Sequence, residues 1–170
     1  TVSYEMHNEL EAGNAVLIEF STMWCPPCNA VAPELETMWQ NLQDEQFQFF
    51  SFLFENENHN ITDCDDDYTW ITTHGLTYPG FVDCNDVFND YYTAFGDGSG
   101  GIGIPWFLLF FPDIDNPSSS ELMYEGGSLS EINQILTNQW LPQVASTSLN
   151  GKKRQLIQLL DMMGRETTFK

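Results

Sequence analysis

Trp24-Cys25-Pro26-Pro27-Cys28 is the stretch whose reading decides the architecture. Before it runs Ala15-Val16-Leu17-Ile18, a continuous apolar run that suits a central strand covered on both faces. After it, Val31, Ala32, Leu35, Met38, Trp39 and Leu42 recur at three- and four-residue steps, one face of an amphipathic helix. The two cysteines therefore straddle a strand end and a helix start. Two intervening residues let both sulfurs meet in the first helical turn with little backbone change. The first sulfur faces unpaired amide N–H groups and the positive end of the helix dipole, which favours thiolate over thiol. Cys25 is expected to attack a substrate disulfide and Cys28 to resolve the mixed disulfide. Pro26 and Pro27 stiffen the turn and are tolerated in a first helical turn. Half a zinc site and a plain structural bridge are the competing readings. Zinc needs about four ligands, and the chain offers neither a second C-x-x-C nor a His pair at ligand spacing, so no metal is expected.

Working outward, residues 3–12 read as a short helix stopped by Gly13, and Phe47 to Phe54 as a second buried strand. Strand, helix, strand in this order implies a right-handed parallel crossover. A helix over Asp65 to His74 ends at Gly75, a short strand follows in residues 79–83, and Val87 to Phe95 is again helical. Residues 97–101 form a Gly-rich loop. Trp106 to Phe111 is a third apolar strand, with Leu122 to Glu125 its hairpin partner beyond a Pro/Ser-rich turn. Ser128-Leu129-Ser130-Glu131 has capping-box spacing and opens a helix with Leu129, Ile132, Ile135, Leu136 and Trp140 on its apolar face. The organisation expected is one domain over 1–143, with an insertion at about 55–104, and a basic tail at 144–170 that can form a helix.

All five Lys and Arg residues lie in the last 19 positions, whereas residues 1–151 carry 23 of the 25 acidic residues. The body's formal charge is thus −23 and the tail's +3, for a net −20. Such a body repels nucleic acid and anionic membranes and attracts cations; only the basic tail leaves membrane contact open. The chain opens at Thr1 without Met, as a processed or trimmed chain would. No apolar run approaches the roughly 18 residues of a membrane span.

Val16-Leu17-Ile18-Glu19-Phe20, the Trp24–Cys28 stretch and Asn29-Ala30-Val31-Ala32-Pro33 together resemble the thioredoxin active-site signature, with Pro33 matching its helix-kinking proline. Gly103-Ile104-Pro105-Trp106-Phe107-Leu108 is similar to that family's Gly-Ile-Pro strand, and Gly126-Gly127 completes the pattern. The resemblance implies an α/β thioredoxin fold, a central mixed β-sheet flanked by helices, with the insertion before the cis-Pro strand. It makes Pro105 a cis-proline and lets Ile104 pair with an extended substrate peptide as an added strand. Residues 75–83 resemble the extra strand of the TlpA/ResA-like branch, which is typically extracytoplasmic, periplasmic or secreted. Pro26 departs from the usual Gly of thioredoxin itself.

Further site residues follow. Glu19 stands six residues before Cys25, where thioredoxins keep a buried Asp that exchanges a proton with the second Cys; burial should raise its pKa, and the alternative is a strand-end Glu that reaches solvent. Trp24 and Trp106 are expected to collar the sulfurs and, with Pro26, Pro27, Ile104 and Pro105, to meet substrate. Cys64 and Cys84 fall on the same side of a parallel layout, so a bridge between them is plausible, two separate thiols being the alternative. Asp63, Asp65, Asp66 and Asp67 suit a helix N-terminus, and the three His residues suit the surface. No cation lies in the loop, which favours a low potential and a reductase. The function expected is a monomeric thiol–disulfide reductase with no bound cofactor, acting on protein thiols and disulfides and served by a thiol electron donor. An oxidase or isomerase on the same fold, or a non-catalytic peptide-binding module, stays open; no Thr-x-x-Cys peroxidase site is present.

Overall fold

The structure, a computed structural model, describes residues 5–82, 87–96, 102–113, 116 and 119–145. Expectations for residues 1–4, Asp83, Cys84, the 97–101 loop, most of the Pro/Ser turn and the tail from 146 fall outside these residues.

A short helix α1 (Met6–Glu11) leads to strand β1 (Ala15–Thr22), helix α2 (Pro26–Leu42) and strand β2 (Phe47–Glu55). Helix α3 (Cys64–His74), strand β3 (Gly80–Val82) and helix α4 (Val87–Phe95) come next. Strands β4 (Trp106–Pro112) and β5 (Ser120–Gly126) precede helix α5 (Leu129–Ile135). The five strands form one sheet in the order β3-β2-β1-β4-β5. β1 runs parallel to β2 and β2 to β3, whereas β4 is antiparallel to both β1 and β5. The sheet is therefore mixed, and β1 is central and wholly buried.

Period-two alternation along β1 sorts the core into two layers. Ala15 and Leu17 face one cluster with Cys28, Ala32 and Leu35 of α2, Trp70 of α3, and Ile132 and Trp140. Val16, Ile18 and Phe20 face the other, against Leu10 of α1 and Phe88 and Tyr91 of α4. An apolar strand with helices on both faces needs this continuous run of Val, Leu and Ile.

Boundaries follow local chemistry. α3 starts one residue earlier than expected, because Asp63 caps it: its Oδ1 accepts from the Asp65 and Asp66 amides at 2.9 and 3.0 Å, and Asp66 Oδ2 accepts from the Asp63 amide. Gly75 closes the helix at φ 65°, a left-handed turn that favours glycine. The acidic run is thus a helix cap. The last helix departs from a plain α-helix: after Ile135 it widens into a π-helical turn over Leu136–Trp140 before helix resumes over 141–145. Leu136 and Trp140 are both buried on the α2 side by that turn. No helix of the described residues is long and apolar enough to cross a membrane.

Candidate active site around the Cys25–Cys28 pair

Cys25 and Cys28 are joined by a disulfide, their Cα atoms 5.3 Å apart. Cys25 is the N-cap of α2: Pro26 and Pro27 occupy the first turn, and the Cys28 N–H donates to Cys25 Sγ at 3.1 Å. This amide and the helix terminus are what would stabilise a Cys25 thiolate once the bridge opens. Asn29 braces the turn, its Nδ2 donating to the carbonyls of Met23 and Cys25 at 2.8 and 2.9 Å. His74 Nε2 meets Asn29 Oδ1 at 3.1 Å and its ring lies on Trp70. His74 is therefore half-buried between α3 and α2, a correction to its expected surface position, and burial lowers its pKa.

The Ile104–Pro105 peptide is cis. The Ile104 carbonyl oxygen stands 3.6 Å from Cys25 Sγ; in the disulfide this is a contact, since the sulfur has no hydrogen to give. Gly127 comes so close to this turn that a Cβ there would stand 3.2 Å from the Pro105 carbonyl oxygen. An open groove of about 400 Å³ lies here, walled by Pro27, Ile104, Pro105, Glu125 and Gly126 among others. Cys28 is fully buried and Cys25 is 2% exposed. Pro26 and Pro27 face solvent, and Trp24 is 37% exposed.

Glu19 is buried, not a strand-end residue reaching water. As an odd-numbered β1 residue it shares the face that carries the Cys25–Cys28 layer. In register it sits between Ser51 of β2 and Phe107 of β4. Ser51 Oγ donates to Glu19 Oε2 at 2.6 Å, while Oε1 has no hydrogen-bond partner among the described residues. Burial pushes its carboxyl from the ordinary 4.5 up to about 7, the Ser51 bond pulling the other way. Tyr78, buried with its ring tilted against Phe49 at 4.5 Å, has its pKa raised by burial and then by the charge of Glu19.

Two expectations need correction. Trp106 is 1% exposed, and its ring lies 5.5 Å from Phe20 in the opposite core layer. It borders the groove without collaring the sulfurs, and its Nε1–H donates to Glu125 Oε1 at 2.9 Å. Cys64, at the first position of α3, is an exposed free thiol, not half of a bridge; Cys84 lies outside the described residues. The sequence reading missed Ser51, Asn29, Glu55 and Glu125. Glu55 Oε2 accepts from Trp24 Nε1 at 2.7 Å. Asn29 stands inside the quoted signature with no role read for it, while Ser51, Glu55 and Glu125 belong to no spaced motif and are brought in by the strands that carry them.

The family model described as Thioredoxin matches residues 2–65, which hold β1, the cysteine pair and α2 but stop short of Pro105. A thiol:disulfide interchange protein of the thioredoxin family from Chlorobium tepidum TLS superposes with a TM-score of 0.55 at 20% identity, over 76% of this chain and 81% of that one. The chain has the thioredoxin fold. The family match is confined to residues 2–65, and beyond them the likeness is one of fold. A thiol:disulfide interchange protein from Bacteroides sp. gives a TM-score of 0.61 at 14% identity, over 81% and 79% of the two chains. StoA from Bacillus subtilis gives 0.51 at 16%, over 72% and 81%. No curated protein matches the sequence.

Proposed function

We propose that this chain is a protein thiol–disulfide oxidoreductase that works as a disulfide reductase of the TlpA/ResA-like kind, outside the cytoplasm. The observation that carries the reading is a disulfide in the first turn of α2, with a backbone amide on Cys25 Sγ and the cis Ile104–Pro105 turn against it. In the reduced protein the Cys25 thiolate attacks one sulfur of a substrate disulfide. A mixed disulfide forms, and the other substrate sulfur leaves as a thiolate that takes a proton from water. Cys28 then gives its proton to the Glu19 carboxylate, and its thiolate attacks Cys25 Sγ. The second substrate thiol is released and the enzyme disulfide closes. Two electrons have passed to the substrate, and a dithiol donor returns them. The disulfide is itself the redox centre, so the cycle uses no bound cofactor.

Two features support the reducing direction and the setting. Residues 1–151 contain no Lys or Arg, so the Cys25 thiolate gains little beyond the helix terminus and one amide, which keeps the potential low. The strand at Gly80–Val82 lies where the TlpA/ResA-like resemblance puts an extra strand, and that branch works outside the cytoplasm.

One observation favours a second reading. At 2% exposure, Cys25 suits a static bridge in a docking module as well as a nucleophile reached through the groove. Insulin reduction with a dithiol donor separates the two. An enzyme loses turnover in Cys25→Ser and accumulates a mixed disulfide, visible as added mass, in Cys28→Ser. A module is indifferent to both changes, and that outcome would end the catalytic reading.

A further inference from the structure

The wall of the groove beside the disulfide carries a carboxylate held in place by the core. Glu125 is exposed on β5, and its Oε1 accepts from the indole of Trp106, a buried ring packed against Phe20 in the second core layer. On the Trp24 side, Glu55 is tied to the other indole, but His59 Nδ1 stands 3.6 Å from the same oxygen. Glu125 has no such neighbour: no ion pair to it occurs among the described residues, and all five Lys and Arg lie at 152–170. Pro27, Ile104, Pro105 and Gly126, which share the wall, bring no charge. The groove thus carries one fixed formal negative charge within an acidic body.

We propose that Glu125 selects substrates with Lys or Arg two residues from the reacting cysteine, so that the substrate class is a cationic peptide segment. This rests on the reductase reading and adds the partner's chemistry to it. An extended segment paired with the Ile104 backbone alternates its side chains. Its cysteine turns toward Cys25, the side chains two positions away along the strand share that face, and Glu125 stands in the groove wall on that side. A cation there gains a partner, whereas an acid meets like charge. The acidic body adds longer-range steering of the same sign, which salt screens over roughly 8–10 Å.

The test uses the full chain and three peptide disulfides that differ only in having Lys, Gln or Glu two residues from the cysteine. Expected kcat/KM falls in the order Lys, Gln, Glu at low salt. Glu125→Gln keeps an acceptor for the Trp106 indole and removes the charge; it should shrink the Lys-to-Glu ratio about two- to fivefold, the size of an exposed ion pair, mainly through KM. Glu121→Gln, at the far end of β5, removes the same formal charge and should leave the ratio unmoved. The proposal is overturned if Glu125→Gln leaves the ratio unchanged, or if Glu121→Gln shrinks it equally, which would credit net charge alone. Either result, with the Gln peptide still turned over, leaves the reductase standing. No turnover of any peptide overturns both.

Discussion

Replacing Glu19 with Gln should make the folded protein more stable at alkaline pH and scarcely alter it in acid. The carboxyl sits in a central strand, accepts one hydrogen bond from Ser51, and has its second oxygen unpartnered. Burial raises its pKa from 4.5 to about 7, some 2.5 units, and at 1.36 kcal/mol per unit that is on the order of 3 kcal/mol. Because the folded value lies above the ordinary one, the native protein holds this proton more tightly than the unfolded chain does. The linked stability is complete below about pH 4.5 and is lost as pH rises through about 7. Gln cannot ionise, and the Ser51 hydroxyl can donate to its amide oxygen instead. Urea unfolding of the oxidised protein at about pH 4 and pH 8 measures the difference. The variant's advantage should grow by about 3 kcal/mol between the two; shifts from other carboxyls, such as the half-buried Asp67, are common to both proteins and cancel. Parallel pH dependences for the two proteins would refute the argument, since Glu19 would then be as well solvated folded as unfolded.

Ser51→Ala removes the hydrogen bond that lowers the Glu19 value, so the carboxyl's titration, followed by NMR of labelled Glu, should move to higher pH; a downward move contradicts the assignment. Asp63→Ala removes the cap of α3 and should cost about 1 kcal/mol, read from the urea midpoint. Asp63→Asn keeps the acceptor and should recover most of that loss. Leu35→Ala, at a fully buried position of α2, should cost about 2–5 kcal/mol by opening a cavity in the core layer that α2 shares with the sheet, and a loss below 1 kcal/mol would mean that layer is loosely packed.

The parts of the fold set by local pattern could be read directly. The three- and four-residue steps after Cys28 become the buried side of α2, where Ala32, Leu35, Met38 and Leu42 all face the sheet. Ser128 caps α5 at the position its spacing implies. What the sequence hides is anything decided by register. Ser51 lies opposite Glu19 only because β1 and β2 pair as they do, and a one-residue slip would point it the other way. Trp106 was open to either face, because β4 is buried along its whole length and shows no polar alternation to mark its sides. Its partner Glu125 was equally hidden, since the β4–β5 ladder shifts register between Leu109 and Phe110. The Cys64 thiol illustrates a third limit. Layout puts helix starts and strand ends on one side of a sheet, but helix phase decides which way the first residue points, and Cys64 points outward.

The most direct test is an equilibrium titration of the Cys25–Cys28 couple in dithiothreitol buffers, followed by the fluorescence of Trp24 beside it. A reversible two-electron transition in the folded protein is predicted, at a potential nearer the roughly −270 mV of reducing thioredoxins than the roughly −120 mV of strong disulfide-forming oxidases. A bridge that stays closed in excess dithiothreitol while the protein remains folded, or a potential near the oxidising value, would contradict the account.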